Sequence, residues 1–418
     1  MPAKGRIYQT PSTKSQEKIF RKMLANLKPS TAWADESPVS FDFGLTTDQE
    51  ARARRLHNES LVVDMVFQHP GGQRIFAEYD PARVHQALAD APLTMEGHAR
   101  GVMLPYELAM SGESDAVKRW FDLSGVDVGA MQISDFSPGV LEQSIDAYRF
   151  MMEKLPWLRV ATTVAQMRQG KKDGVHTLYG YSQPVFGLPT DLRRIGVAYE
   201  AGLRVLMLTY NRMDYVGTGC TERVDAGLSM YGIEVVKYCN DHGIIVDTSH
   251  CGYQTTLDAC KFSNGPVIAN HTCAAGVYAH ARGKSDEIIA AIAATGGLVG
   301  VVAVPFFLSS DPNVNVETML EHVDYIAKKF GWQHVAIGSD WPLQGPTVHL
   351  ERVLGSMAAE LGFRESDNIS PTRTMPGWRD YRDFPNVARG LVKRGYSDEQ
   401  IQGILGENFV RVFEQVCE

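Results

Sequence analysis

Eight short apolar runs, each bounded by turn-forming residues, recur along the 418-residue chain and constrain its fold more than any other feature. Most are followed by a longer stretch with the apolar periodicity of an amphipathic helix, and these helices end in Gly or Asn-Gly, as a C-cap requires. Apolar strands that alternate with such helices are typical of a parallel sheet covered on the outside. The runs occupy residues 61–65, 128–134, 174–180, 204–209, 243–249, 266–271, 297–304 and 334–340.

Eight repeats of a strand–helix unit predict an α/β fold, a closed (β/α)8 TIM barrel, with a doubly wound open sheet as the alternative. We expect the barrel to span residues 56–416. Residues 1–55 are predicted to form a polar N-terminal arm that could contact a second subunit in a homodimer. Within this arm, Thr47 and Glu50 predict a capping box at the start of a helix. Residues 341–385 are predicted to form a long loop over the active face.

Composition excludes several classes of protein. Hydrophobic residues make up 44% of the chain, which is ample for a globular core. The 41 Lys and Arg residues against 49 Asp and Glu give a formal charge of -8, so nucleic acid is not an expected partner. The six cysteines form no C-x-x-C pair, which argues against a zinc ribbon and favours a reducing compartment. No signal-peptide pattern and no long apolar run occurs, so we predict a cytoplasmic protein without a membrane partner.

Ligand-type side chains stand at the ends of the later strands. Reactive residues of such barrels follow the carboxyl ends of the strands, because those ends meet at one mouth. His250 directly follows the fifth run, and His271 and Asp340 end the sixth and eighth runs. Each alone could be a core residue or a helix cap, but two imidazoles and a carboxylate together predict a divalent-metal site. Asp340 would then be placed to act as a general acid and base.

Several segments resemble the membrane dipeptidase (renal dipeptidase) family, peptidase family M19, over about residues 56–416. They are LRVLMLTYN, GIIVDTSHCG, GPVIANHTCA, ARGKSDE, VAIGSDW and GENFVRVFE, in this order. The resemblance implies a metal-dependent, amidohydrolase-like barrel with two zinc ions. It also implies that His250 and His271 bind the second zinc, that Asp340 transfers protons, and that Arg282 receives the carboxylate of the substrate.

The chain departs from this family pattern at the first metal. The family has a His-x-Asp pair after the first strand, where this chain has Val66 and Gln68. A slip to His69 would point the side chain to the other face. Gln183 stands in place of the bridging glutamate and is a poorer metal ligand. Tyr210 replaces the histidine that touches the scissile carbonyl, although a phenol can still donate a hydrogen bond to an oxyanion.

Taken together, these residues predict a zinc-dependent, dipeptidase-like hydrolase of a small substrate that carries a free carboxylate. We expect zinc or another divalent metal at about one ion per chain. The alternatives are a mononuclear-metal lyase or isomerase that acts on a small carboxylate, or a catalytically inactive barrel. The predicted site comprises catalytic Asp340 and Tyr210, substrate-binding Arg282 and Tyr210, and the metal ligands His250, His271, Asp340 and Gln183.

Overall fold

The computed structural model describes residues 41–66, 95–133, 135–184, 187–188, 190–340, 361–369, 375–378 and 381–418, without the side chains of 95–102. Its strands are β1 (Val128–Gln132), β2 (Leu158–Val160), β3 (His176–Ser182), β4 (Leu203–Met207), β5 (Ile245–Asp247), β6 (Val267–Ala274), β7 (Gly283–Lys284), β8 (Val299–Val301) and β9 (Val335–Ile337). Its α-helices are α1 (Thr47–Glu59), α2 (Met95–Met110), α3 (Ala116–Ser124), α4 (Val140–Lys154), α5 (Val164–Asp173), α6 (Arg193–Glu200), α7 (Met230–His242), α8 (Tyr253–Phe262), α9 (Asp286–Ala294), α10 (Pro305–Leu308), α11 (Val316–Phe330), α12 (Asn386–Lys393), α13 (Asp398–Gln402) and α14 (Asn408–Cys417). Short turns of 3-10 or π helix span Trp332–His334, Glu365–Asp367, Tyr381–Asp383 and Gly403–Glu407.

Parallel pairing joins the strands into a curved sheet in the order β1, β3, β4, β5, β6, β8, β9. Segment 61–66 closes the sheet between its two edges. Val63 forms a parallel bridge with Val128 of β1, and the Met65 amide donates to the Ile337 carbonyl of β9 at 3.1 Å. Segment 61–66 therefore takes the place of the eighth strand of the barrel, although it has too few ladder hydrogen bonds to count as a regular strand. The predicted (β/α)8 barrel of the α/β class is confirmed.

Side chains fill the interior of the barrel. The strands contribute inward-facing residues such as Val63, Tyr181 and Ile268, all of them buried. Helix α14 adds Phe409, whose ring centroid lies 5.1 Å from that of Tyr179 on β3. Because this interior is a packed core and not a pore, chemistry is restricted to the mouth at the carboxyl ends of the strands.

Two strands were not predicted, most strand ends differ by a few residues, and the end of β6 is the difference that affects the site. The sequence did not predict β2, which pairs with β3, or β7, which pairs with β6. Strand β6 continues to Ala274, three residues past the predicted end at residue 271, with a register shift between Ala269 and Thr272. Polar side chains from residue 270 onward suggest a strand end, but here they are buried and hydrogen-bonded inside the mouth, which hydropathy does not show.

The capping box of α1 lies one residue earlier than predicted. The Thr46 hydroxyl accepts a hydrogen bond from the Gln49 amide at 3.3 Å, and the Gln49 side chain accepts from the Thr46 amide at 3.0 Å. The assignment to Thr47 and Glu50 was wrong because Thr46 has the extended backbone of an N-cap and Gln serves at the third position as well as Glu.

Residues 1–40 and 341–360 lie outside the described part of the chain. The arm at 1–55, the barrel boundary at 56–416, the loop over the mouth and the homodimer therefore stay predictions. None of the helices in the described ranges combines the length and the hydropathy that crossing a membrane requires. The cytoplasmic location also stays a prediction.

Candidate functional site

Two histidine side chains meet at the carboxyl ends of strands β5 and β6. His250 follows β5 by three residues, and His271 lies inside β6. The two strands pair in parallel, so their carboxyl ends share one edge. The Nε2 atoms of the two imidazoles are 2.9 Å apart, and both side chains are buried. The structure thus brings the predicted pair together.

Both imidazoles are neutral in this environment. Burial, reinforced by the positive charges of Arg282 and Lys284, holds the pKa of His250 well below its usual range. The same causes lower the pKa of His271. Neutral imidazole is the form that binds a metal ion.

Asparagine side chains contact the other nitrogen of each ring. His250 Nδ1 lies 2.7 Å from Asn211 Oδ1, and His271 Nδ1 lies 2.5 Å from Asn270 Oδ1. An amide oxygen needs a donor, so in this orientation of the two amides each Nδ1 would carry the proton and each Nε2 would present a lone pair. These asparagines were not among the predicted site residues, and the only signal for them was their position next to a strand end or a predicted ligand.

Three further predicted residues surround the imidazole pair. The Gln183 amide Nε2 lies 3.2 Å from His250 Nε2, directly after β3. The Tyr210 ring stacks on the His250 ring with centroids 4.0 Å apart and planes 20° apart. Asp340 Oδ2 lies 3.9 Å from His271 Nε2, and its side chain is 12% exposed. Gln183 thus lies against His250, and Asp340 lies near His271.

The backbone of Asp340 has an uncommon conformation. Its φ angle is +52°, and its amide donates to the Val66 carbonyl at 3.1 Å. Only one other non-glycine residue in the described ranges, Asn368, has a positive φ. Such a conformation persists where the surroundings fix it, and it is frequent at functional sites.

The donor set fits a divalent ion. Two lone pairs that face each other across 2.9 Å repel unless a proton or a cation lies between them. Zinc binds imidazole nitrogen at about 2.0–2.1 Å and carboxylate oxygen at about 2.0–2.2 Å. The 2.9 Å gap lets His250 and His271 bind one ion together, and Asp340 lies 3.9 Å from His271 Nε2. Within the described ranges, however, no group of three or more His, Cys, Asp or Glu side chains is arranged so that it could hold a metal ion, so Asp340 would have to move closer to join the two histidines.

The position of the family's first metal is occupied differently. The Val66 side chain is buried among apolar residues and offers no ligand atom. Gln68 and His69 lie outside the described residues. Val66 therefore offers nothing in place of the histidine of the family, and the expectation of about one metal ion per chain stays a prediction.

A buried carboxylate, Asp64, lies beside this position. Its Oδ2 accepts hydrogen bonds from the Tyr381 hydroxyl at 2.7 Å and from the Ser339 hydroxyl, and its Oδ1 accepts from the Ser339 amide at 2.8 Å. Burial raises the pKa of Asp64 to about 6, although these hydrogen bonds oppose the shift. These hydrogen bonds connect segment 61–66 to Ser339, the residue before Asp340. The sequence did not identify Tyr381, which is 317 residues away from Asp64.

Two buried cations hold the turn that carries His250. Arg282 donates to the Ser249 carbonyl and, at 3.0 Å, to the His271 carbonyl. Lys284 Nζ donates to the carbonyls of Thr248 at 2.7 Å and Cys251 at 2.8 Å. Arg282 and Lys284 are only 1% and 2% exposed, and they lie two residues apart beside β7. Together they fix the backbone around both histidines.

The Lys284→Met variant is expected to lower the free energy of unfolding by about 1–3 kcal/mol, because two buried carbonyls lose their donor. Urea denaturation measures this change. Lys237→Met is a matched control, since Lys237 is exposed and pairs with Asp241 on the same helix. Its effect should stay within about 0.5 kcal/mol. Equal stability of Lys284→Met and the unmodified protein would show that the ammonium does not hold the turn.

Comparison with solved structures identifies the same architecture. An amidohydrolase from Pseudomonas aeruginosa superposes with a TM-score of 0.67 at 22% identity, over 87% of this chain and 98% of that one. A metallo peptidase from Rhodobacter sphaeroides, solved with a phosphinate mimic of the dipeptide L-Ala-D-Ala, gives a TM-score of 0.64 at 17% identity, over 85% and 99%. At these identities the comparison establishes the fold alone.

Comparison of sequences gives more specific information than the comparison of folds. Dipeptidase tcpJ from Claviceps purpurea (strain 20.1) is 26% identical over 223 residues, which cover 53% of this chain and 46% of the relative. The chain thus matches about half the length of that relative. The profile of the family described as membrane dipeptidase (peptidase family M19) matches residues 50–355 and 348–418. This match covers most of the barrel, including every strand end described above, and the chain belongs to the membrane dipeptidase family, peptidase family M19.

Proposed function

We propose that this chain is a metal-dependent hydrolase that cleaves a dipeptide-like or small amide substrate with a free carboxylate. The observation that carries the proposal is the convergence of two neutral imidazole nitrogens, 2.9 Å apart, beside the Asp340 carboxylate at the mouth of a barrel. Family membership and the similarity to a dipeptidase support the reaction class. His250 and His271 would hold the metal with Asp340. Gln183 would join them only through its oxygen, after rotation of its carboxamide.

Each side chain has a distinct task in this proposal. When bound, a divalent ion supplies Lewis-acid polarisation and a water molecule that ionises more readily. Asp340 Oδ2 would take a proton from the attacking water and return it to the leaving amine. The Tyr210 hydroxyl would donate a hydrogen bond to the developing oxyanion. Burial raises the pKa of Tyr210, which keeps this hydroxyl protonated at neutral pH.

The role of Arg282 as an anchor for the substrate carboxylate stays a prediction. Its two terminal nitrogens are bound to the carbonyls of Ser249 and His271. Its Nε is buried and has no hydrogen-bond partner within the described part of the chain. A substrate carboxylate would have to compete with these carbonyls, although a guanidinium binds an anionic carboxylate more strongly than a neutral carbonyl.

The metal content tests the proposal first. Because Val66 offers no ligand and Gln183 is a weak one, protein purified without chelator should hold close to one divalent ion per chain. Elemental analysis measures the stoichiometry, and a panel of dipeptides measures turnover in the same preparation. A value near two would contradict the reduced site, and absence of both metal and turnover would favour an inactive barrel.

A lyase or isomerase reaction on a small carboxylate is the competing proposal. It is favoured by the buried, apolar Val66 at the position of the first metal, since loss of that metal removes part of the family's water activation. Turnover in water labelled with ¹⁸O separates the two reactions. Hydrolysis places the label in the new carboxylate of the product, whereas elimination or isomerisation does not.

A further inference from the structure

The two asparagines behind the histidines differ in how firmly their orientation is fixed. Asn211 Nδ2 donates to the Leu361 carbonyl at 2.8 Å, so its oxygen must face His250 Nδ1. Rotation of this amide would bring two oxygens together at Leu361. His250 therefore keeps its proton on Nδ1 and its lone pair on Nε2.

The Asn270 amide has no carbonyl partner of this kind, and the Tyr181 hydroxyl, with which its side chain interacts, can either donate or accept a hydrogen bond. Its Oδ1 lies 2.5 Å from His271 Nδ1 and 2.7 Å from Ser249 Oγ, whereas its buried Nδ2 makes no hydrogen bond of good geometry in the described part of the chain. A buried amide nitrogen without a good partner is unfavourable. The register shift in β6 between Ala269 and Thr272 allows the adjacent side chains of Asn270 and His271 to meet.

A half-turn of the Asn270 amide gives Ser249 and His271 different hydrogen bonds. Its Nδ2 would then donate to Ser249 Oγ and to His271 Nδ1. Ser249 can accept this bond because its hydroxyl proton can go to Asp247 Oδ1, 2.6 Å away. His271 would carry its proton on Nε2 and donate it to His250 Nε2 across the 2.9 Å gap. In that arrangement the two imidazoles are bonded to each other, and no lone pair is left for a cation.

We propose that Asn270 is a positioning residue whose amide orientation selects the tautomer of His271 and thereby makes the histidine pair competent for a divalent cation. With its oxygen toward His271, both Nε2 lone pairs converge. With its nitrogen toward His271, the pair is closed by its own hydrogen bond. The inference rests on the proposed metal dependence, but the tautomer of His271 can be observed without any metal.

Zinc affinity provides the first test, by competition with a chromophoric chelator. Asn270→Leu removes the acceptor at similar volume and should weaken zinc binding about 10–100-fold, the usual cost of losing a partner behind a ligating histidine. Asn270→Asp can only accept, so it should keep the affinity within a few-fold of the unmodified protein. Asn240→Leu is the matched control, because Asn240 also has a buried Nδ2 without a partner and lies on α7. It should leave the affinity unchanged.

NMR of ¹⁵N-labelled imidazoles provides a second test that needs no substitution. In the metal-free protein we expect His250 to be protonated on Nδ1 and His271 on Nε2, and zinc should abolish the Nε2 proton of His271. Full zinc affinity in folded Asn270→Leu, or a metal-free His271 protonated on Nδ1, would overturn the inference. If the unmodified protein binds no zinc, the proposed function fails while the tautomer of His271 still decides this inference.

Discussion

The His271→Ala variant is expected to lose nearly all bound zinc and to keep a folded barrel. The substitution removes one of the two lone pairs that converge at the mouth. The loss of affinity should exceed the ~10–100-fold that loss of an outer hydrogen-bond partner costs. His271 is fully buried, so its truncation should also cost about 1–3 kcal/mol of stability. Zinc content after dialysis, chelator competition and circular dichroism measure these effects.

A buried histidine away from the mouth separates metal loss from general destabilisation. His57 on α1 is buried, and its Nε2 lies 2.9 Å from the Ser124 carbonyl on α3. His57→Ala should lower stability by a similar amount and retain full zinc. His250→Ala should behave as His271→Ala does. If either of these mouth variants retained its zinc, the ligand assignment would be wrong.

The barrel was predictable because its strands carry a strong local signal. Runs such as residues 204–209 and 243–249 are apolar and sit before caps and turns that end each unit, so the repeat of eight is visible in the sequence. Segment 61–66 was predicted as well as the regular strands, although its one β-bridge is at Val63. A hydrophobic pattern predicts which residues are buried, and the residues of this segment are as buried as those of the regular strands.

The first layer of the site was also predictable. Parallel strands deliver their carboxyl ends to one mouth, so His250, His271, Gln183, Tyr210 and Asp340 had to lie near one another. Their separations could not be predicted. The 2.9 Å gap between the two imidazoles occurs where β6 has a register shift, and the positive φ of Asp340 occurs together with a hydrogen bond to Val66, neither of which the sequence pattern shows.

The supporting layer was not predictable, since it consists of residues whose type carries no specific signal. Lys284 is a charged residue, a type usually found at the surface, yet it is buried here. Its ammonium donates hydrogen bonds to the carbonyls of Thr248 and Cys251 and to the Thr256 hydroxyl. Tyr381 reaches Asp64 across most of the chain length. Contacts of this kind follow from tertiary packing and leave no periodic trace.

The Asp340→Asn variant is expected to reduce turnover ~100-fold or more, the scale typical of losing a general acid and base. Asn fills nearly the same volume and accepts the positive φ of +52° as readily as Asp, so the backbone at the mouth should not change. The carboxamide cannot take a proton from water at neutral pH. Thermal stability should stay nearly the same, and zinc affinity should fall at most moderately because the two imidazoles remain.

The assay for Asp340→Asn is turnover on the best substrate of the dipeptide panel, with zinc content and circular dichroism measured on the same preparation. Asp173→Asn is the matched control, since Asp173 ends α5, outside the predicted site, and pairs with Arg159 at 2.6 Å. That variant should retain full turnover. If the folded, zinc-loaded Asp340→Asn variant had nearly normal turnover, Asp340 would not be the proton-transfer group. Tyr210, stacked on His250, would then be the next residue to substitute.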